Sequence, residues 1–323
     1  MNKPRIALAV LALALLALPQ LSTGDYVLNV ASQVLIYALF ALSLNLLIGF
    51  GGMTSLGHAV YLGIAAYACA WLTTVAEWSP LAAAAAGVGI STATAAVFGV
   101  LALRVAGLGF LMITLAFGQI VWGIAYRWNS LTNGDNGIKL SGGRPTILGF
   151  DISTSQGFYL FALLVFAVSL FAMWRFANSA WGACLRGVRD QPRRMSMLGH
   201  NVWLIRWSAY VLSGFWGAIA GILYIYYNQF ISPHAVALQQ SAEVLLMVIL
   251  GGASTLTGPI VGAVIITLVK NVLSSYVERW YSVLGLIFIF AVVFMPQGLV
   301  PGLRLLLQKS KPNPSSLSKR SLP

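Results

Sequence analysis

Long apolar runs separated by short polar segments dominate the sequence, and they restrict this chain to one class of fold. Charged residues make up 8% of the chain and hydrophobic residues 59%, with a mean hydropathy of +0.85. A soluble domain carries about 25% charged residues. Apolar runs of this length are typical of transmembrane helices, because backbone groups that face lipid must be satisfied within the segment. We therefore predict an all-α polytopic membrane protein.

The apolar pattern predicts about ten transmembrane or re-entrant helices, near residues 6–20, 26–48, 54–76, 81–102, 107–126, 157–174, 207–228, 241–252, 259–276 and 281–296. We interpret residues 1–22 as a first transmembrane helix or signal anchor, residues 23–304 as one transmembrane domain, and the Pro-, Ser- and Lys-rich residues 305–323 as a disordered basic tail. Lys3 and Arg5 before an apolar run also fit a secretory signal peptide. We favour a retained helix, because no clean small-x-small cleavage site follows.

One basic segment, residues 175–206, interrupts the apolar pattern. It contains six arginines, and cytoplasmic loops are enriched in Arg and Lys. This places the segment, the N-terminus and the basic tail in the cytoplasm. The net charge is +12. We therefore interpret the positive residues as the ones that orient the helices in the membrane, and not as a nucleic-acid binding surface.

The basic segment has internal signals for short helices. Residues 181–189 form one helical stretch, and Asp190-Gln191-Pro192 is typical of the start of a second. Gly199 is placed where that helix stops. An ordinary positive-inside loop is the alternative, but such a loop needs neither 32 residues nor capped helices. We favour a cytoplasmic element to which a soluble partner docks.

The stretch 241–276 must enter and leave the membrane if both the basic segment and the tail are cytoplasmic. Residues 242–250 are only about 15 Å long as a helix, roughly half the hydrocarbon thickness. Either this helix begins earlier, or it is broken or re-entrant at Gly251-Gly252. Residues 51–57 repeat the Gly-Gly pattern of residues 251–258. This pattern indicates a possible internal repeat, although two glycine-rich turns can also look alike by chance.

Several motifs in this order resemble the branched-chain amino acid ABC transporter permeases of the LivM type. The resemblance runs from about residue 30 to residue 300. In the first half it rests on Ser43-Leu44-Asn45-Leu46-Leu47, Gly49, Gly52, Ser55-Leu56-Gly57-His58, Ile113-Thr114-Leu115-Ala116, Gln119, Thr132, Gly134 and Gly137-Ile138. In the second half it rests on Trp181-Gly182, Leu185-Arg186, Val188-Arg189-Asp190, Leu198-Gly199-His200-Asn201-Val202, Ile231-Ser232-Pro233, Ser241, Glu243, Leu245 to Gly252, Thr255-Leu256 and Gly258-Pro259. The family usually has an Ala-rich stretch where this chain has residues 192–195.

The resemblance implies the permease subunit of an ATP-driven importer in the bacterial inner membrane. Its implied partners are a second, homologous permease, two cytoplasmic ATPase subunits and a periplasmic substrate-binding protein. The chain contains no G-x-x-x-x-G-K-[ST] phosphate loop, so we expect a transport subunit and not an enzyme, with no catalytic residue, cofactor or metal. Branched-chain amino acids are the expected substrates, and urea, short amides or other amino acids are the alternatives.

Two groups of candidate functional residues follow. The first is the ATPase-coupling loop: Trp181, Gly182, Leu185, Arg186, Arg189, Asp190, Arg193 and Gly199. The second comprises candidate pathway or hinge residues: Asn45, Gly51, Gly52, His58, Gln119, Glu243, Gly251, Gly252, Gly258 and Pro259.

Each pathway candidate has a simpler interpretation. The glycines permit close helix packing as well as unusual backbone conformations. His58 is interpreted as a packing or hydrogen-bonding residue. An intramembrane carboxylate is a functional hypothesis by default, but we favour Glu243 as an early-turn acid at the outer interface. A secondary transporter needs buried ion-coupling groups, and Glu243 is the only candidate carboxylate for such a group in this sequence.

Overall fold

The computed structural model describes residues 24–140, 144, 146–147, 150–253 and 255–273, together with residues 282–283, 285–286, 289 and 298–302. The predicted helix at 6–20, most of the predicted helix at 281–296 and the tail 305–323 lie outside these residues.

The described part of the first half contains four apolar helices. They are α1 (Asp25–Asn45), α2 (Ala59–Thr74), α3 (Pro80–Ala102) and α4 (Leu108–Arg127). Helix α1 continues as a π-helical turn, Leu46–Phe50, and an irregular segment over residues 51–58 follows. The span predicted at 54–76 was therefore wrong at its start, because its first residues belong to this irregular segment.

A short structured loop follows α4. It contains α5 (Asn129–Thr132), a 3₁₀ turn (Gly134–Asn136) and three two-residue strands, β1 (Ile138–Lys139), β2 (Thr146–Ile147) and β3 (Phe150–Asp151). Strands β2 and β3 pair with each other, whereas β1 pairs antiparallel with β4 (Phe230–Ile231), Ile138 lying opposite Ile231. The sequence reading did not predict these strands.

The second half contains further helices: α6 (Ser155–Ala177), α7 (Ala180–Asp190), α8 (Pro192–Met197), α9 (Val202–Asn228), a 3₁₀ turn (Pro233–Val236), α10 (Leu238–Gly251) and α11 (Thr257–Leu273). Helix α6 extends to Ala177 and α9 begins at Val202, so both ends of the basic segment 175–206 are helical.

Side-chain caps and proline fix several helix starts. Thr154, Ser179 and Asn201 each accept a backbone N–H bond three residues ahead, at the starts of α6, α7 and α9. Each cap satisfies one of the N–H groups that a helix start leaves without a partner. Pro80 and Pro192 occupy the first turns of α3 and α8, where a missing N–H costs nothing.

Among the described residues, five helices are long and apolar enough to cross a membrane: Asp25–Phe50, Pro80–Ala102, Leu108–Arg127, Ser155–Ala177 and Val202–Asn228. Three more apolar helices, α2, α10 and α11, are shorter. Helix α10 begins at Leu238, earlier than predicted, yet its 14 residues span only about 21 Å. It ends at the predicted position, Gly251.

Helix α1 lies at the centre of the bundle. It packs against α6, α9, α10 and α11, and α2, α3 and α9 pack against one another beside it. The second half of α1 is almost fully buried, whereas α3 and α4 expose many apolar side chains. In a membrane protein such exposed apolar faces are the ones suited to lipid.

Candidate functional site

The two Gly-Gly segments lie at helix ends, and the second glycine of each has a positive φ. Gly52 has φ of +67° and Gly252 has φ of +108°, values that glycine adopts without steric cost. Gly52 follows the π-helical turn of α1, and Gly252 follows the last residue of α10. A single π-helical turn within a helix is often found at functional sites.

The first break, residues 49–52 at the end of α1, and the second break, residues 251–255 between α10 and α11, are in contact with each other. Asn45 Nδ2 donates a hydrogen bond of 3.0 Å to the carbonyl oxygen of Thr255, across 210 residues. The backbone of Gly49 lies so close to the carbonyl of Ala253 that a Cβ atom there would collide with it. Asn45 is fully buried, so its amide joins the end of α1 to the segment between α10 and α11.

The crossing of α10 and α11 depends on small residues. A Cβ atom on Gly251 would collide with the carbonyl of Gly258, and one on Gly258 would collide with the carbonyl of Gly252. Thr255 Oγ1 accepts a bond of 3.0 Å from the N–H of Gly258 and so caps the start of α11. Pro259 lies in the first turn of α11, where no intrahelical N–H bond is lost.

Helix α7 binds the first break through two arginines. Arg189 Nη1 donates a hydrogen bond to the carbonyl oxygen of Gly49, and its side-chain carbons lie against Gly52. Arg186 Nη1 donates a bond of 2.7 Å to Ala177 O, and its guanidinium lies 5.9 Å from the centre of the Phe50 ring. The two cations therefore hold α7 against the π-helical turn and against the end of α6.

The structure divides the eight coupling-loop residues into two faces. Gly182, Leu185 and Arg186 pack towards the helix bundle, and Leu185 is 1% exposed. Arg189 reaches Gly49 from the edge of this face: its side chain is 34% exposed and also forms an ion pair of 2.8 Å with Asp190. The other four, Trp181, Asp190, Arg193 and Gly199, are exposed, and so are Arg194, Met197 and Leu198 beside them. Met197 and Leu198 are 86% and 73% exposed, and the sequence reading did not select them. We call Trp181, Arg193, Arg194, Met197 and Leu198 the exposed face.

A sequence profile with the description "Branched-chain amino acid transport system / permease component" matches residues 26–293 of this chain. The chain belongs to this permease family. As a member, it is a multi-pass membrane protein and a transport subunit, not an enzyme.

Three relatives carry names from the same family. The high-affinity branched-chain amino acid transport system permease proteins LivM of Salmonella typhimurium and Escherichia coli K12 are each 28% identical to this permease component. Their alignments cover 84% of this chain and 69% of the first relative, and 92% of this chain and 74% of the second. The probable branched-chain amino acid transport permease protein LivM of Methanocaldococcus jannaschii is 25% identical over 49% of this chain and 50% of its own length. No solved structure matches this chain significantly.

The remaining candidates of this permease component lie in different places. His58 is fully buried and shares a hydrogen bond of 2.7 Å with Ser43, between the rings of Phe40 and Tyr61. Gln119 lies on an exposed face of α4, apart from the two breaks. The structure therefore brings Asn45 and the candidate glycines together at the two breaks, the first of which contacts α7, and places His58 and Gln119 elsewhere.

Glu243 is buried, contrary to the interface position that we favoured from the sequence. Its side chain is 3% exposed and forms an ion pair of 3.0 Å with Lys270 of α11. The sequence reading did not single out Lys270. Its position at the end of an apolar run is typical of an orienting charge, so only the tertiary structure reveals the pair.

Proposed function

We propose that this chain is the transmembrane permease subunit of an ATP-binding cassette importer that moves leucine, isoleucine and valine from the periplasm to the cytoplasm. Membership of the permease family and the names of its relatives support the substrate class. The transmembrane domain spans residues 23–304 and lies in the bacterial inner membrane, with the N-terminus, the segment 175–206 and the tail 305–323 in the cytoplasm. The six arginines of that segment support this orientation.

The contact of Arg189 with Gly49 and Gly52 carries the mechanistic part of the proposal. Two ATPase subunits dock on the cytoplasmic side, one of them on the exposed face of α7 and α8. When the ATPases close, they push α7, and Arg189 passes the movement to the break at the end of α1. Asn45 passes it on to the second break through Thr255. The helices then alternate between inward-open and outward-open arrangements.

The exposed face has the composition that a protein interface requires. Met and Arg side chains and aromatic rings are enriched in interfaces relative to the rest of a protein surface. Trp181, Met197 and Leu198 supply apolar area, while Arg193 and Arg194 supply charge. A second, homologous permease and a periplasmic binding protein complete the importer.

Uptake of labelled leucine in cells that lack this chain tests the proposal, with urea and an aromatic acid measured in parallel. We expect leucine uptake to fall to background and to return when the wild-type chain is restored. Unchanged leucine uptake with loss of urea uptake would contradict the substrate class. Uptake that persists after ATP depletion but disappears with the ion gradient would favour the secondary transporter.

A further inference from the structure

A group of polar side chains lies between α1, α10 and α11, far from the two breaks. Lys270 Nζ donates to both carboxylate oxygens of Glu243 at 3.0 Å, and Asn271 Nδ2 donates to Gln33 Oε1 at 2.8 Å. Gln33 precedes Gly49 by sixteen residues, which is about 24 Å along a helix. The group therefore contacts the first half of α1, whereas the contact with Arg189 lies at the end of this helix.

The charges of this group are largely removed from solvent. The side chain of Glu243 is 3% exposed and that of Lys270 is 20% exposed. The ring of Tyr37 lies 5.4 Å from Lys270 Nζ. A buried ion pair is weak evidence for stability, because well-packed apolar side chains in its place are often neutral or stabilising. Helix packing alone therefore gives no reason to keep these two charges.

Two polar atoms on the same helix faces have no hydrogen bond within the described part of the chain. Gln240 Nε2 and Thr267 Oγ1 are buried and have no partner among the described residues. Gln240 lies three residues before Glu243, and Thr267 three residues before Lys270, so each shares a helix face with its charged neighbour. Buried polar atoms are nearly always hydrogen-bonded. These two atoms are therefore available for hydrogen bonds to a ligand.

We propose that this group binds the charged backbone of a zwitterionic amino acid. The α-ammonium of the ligand takes the place of Lys270 Nζ beside Glu243, and its α-carboxylate takes the place of Glu243 beside Lys270. Gln240 and Thr267 supply further hydrogen bonds. When the ion pair opens around a zwitterion, Glu243 faces the ammonium of the ligand and Lys270 faces its carboxylate. Neither buried charge is then left without an opposite charge beside it. A ligand with only one of the two charges leaves one side chain without its counter-charge.

The ligand reaches the group from the flank formed by α1 and α11, because Gln33, Lys270 and Asn271 are partly exposed there. Polar groups within a membrane-spanning segment face protein or a water-filled cavity, not lipid. This inference rests on the proposed function, since it places an amino-acid site within an amino-acid importer.

The test replaces both charges with leucine, Glu243→Leu with Lys270→Leu, in the complete importer reconstituted in proteoliposomes. We expect leucine import to fall at least about tenfold, because hydrogen bonds to charged groups are among the stronger polar interactions. Yield and thermal stability should stay near the wild-type values. The matched control, Tyr61→Phe with Tyr210→Phe, removes a different buried polar pair, a hydroxyl–hydroxyl bond of 2.6 Å, and should keep import.

A second measurement uses only the wild-type complex of permeases and ATPases, without the binding protein. Unlabelled leucine should displace bound labelled leucine at least about tenfold better than leucinamide or 4-methylpentanoate, which each lack one charge. Equal displacement by all three compounds overturns the inference even if the double-leucine variant does not assemble. Full import by the double-leucine variant overturns it as well and leaves the proposed function intact. A wild-type importer that does not transport leucine overturns both.

Discussion

Arg189 donates a hydrogen bond from Nη1 to the backbone carbonyl of Gly49, 140 residues earlier in the chain. The bond joins α7 to the π-helical turn that ends α1, and Asn45 of the same helix joins it to the segment before α11. A displacement of α7 therefore acts directly on backbone atoms at one break and, through one side chain, on the other.

Arg189→Ala removes the guanidinium that contacts Gly49. We expect import per ATP hydrolysed to fall on the order of tenfold, because a hydrogen bond from a charged donor contributes about 1.5–3 kcal/mol. The measurement is the ratio of transported leucine to released phosphate in proteoliposomes. Arg175→Ala, which removes an exposed arginine at the end of α6, is the matched control. An unchanged ratio in the Arg189 variant would show that this contact does not transmit the movement.

Asn45→Leu keeps the approximate size of the side chain but removes its bond to the carbonyl of Thr255. We expect the purified complex to lose about 1–2 kcal/mol of stability, because a partly buried carbonyl is left without its donor. Thermal unfolding in detergent measures the change. Asn228→Leu, which loses only an exposed bond to Tyr224 of the same helix, should unfold close to the wild-type temperature.

Gly251→Ala places a methyl group against the carbonyl of Gly258. Overpacking of this kind costs about 1–3 kcal/mol, so we expect a lower unfolding temperature and weaker transport. The same change at Gly123, where a Cβ atom meets nothing within 4 Å, should be neutral or slightly stabilising because alanine favours helix. Equal unfolding temperatures for the two variants would contradict the close α10–α11 crossing.

Met197→Asp with Leu198→Asp places charge on the exposed face without touching the core. We expect the permease to reach the membrane in normal amounts and to lose most of the copurifying ATPase, because interface cores are depleted of charged residues. Quantitative copurification measures the loss. Val75→Asp, at an exposed apolar residue after the end of α2, is the control. Retention of the ATPase by the double-aspartate variant argues against docking at this face.

The sequence predicted the elements of the described bundle well, because each apolar helix has a continuous run of side chains suited to lipid or to a packed core. The predicted start of the second span was wrong at residues 54–58. A short run such as Ser55-Leu56-Gly57 does not distinguish a helix start from an irregular segment. Local chemistry also predicted the two short helices of the basic segment, because Pro192 and Gly199 mark a start and a stop in the sequence itself.

The partners of individual side chains could not be predicted in the same way. Arg186, Arg189 and Arg193 look alike in the sequence, yet the first two donate to backbone carbonyls of other helices and the third lies on the exposed face. Glu243 and Lys270 lie 27 residues apart, and only the packing of α10 on α11 brings them together. A sequence pattern indicates which faces of a single helix are buried or exposed. These contacts depend on how two helices pack against each other, which the pattern does not contain.

The pairing of β1 with β4 also constrains when the molecule can be completed. Ile138 and Ile231 lie opposite each other in this ladder, and Tyr227 at the end of α9 donates a hydrogen bond to Asn29 O near the start of α1. Because chains are made from the N-terminus, both contacts must wait until α9 has been synthesised and inserted. A nascent chain that ends before α9 leaves the strand after α4 without its partner. The loop that joins α4 to α6 is therefore closed late, by residues from the second half of the chain.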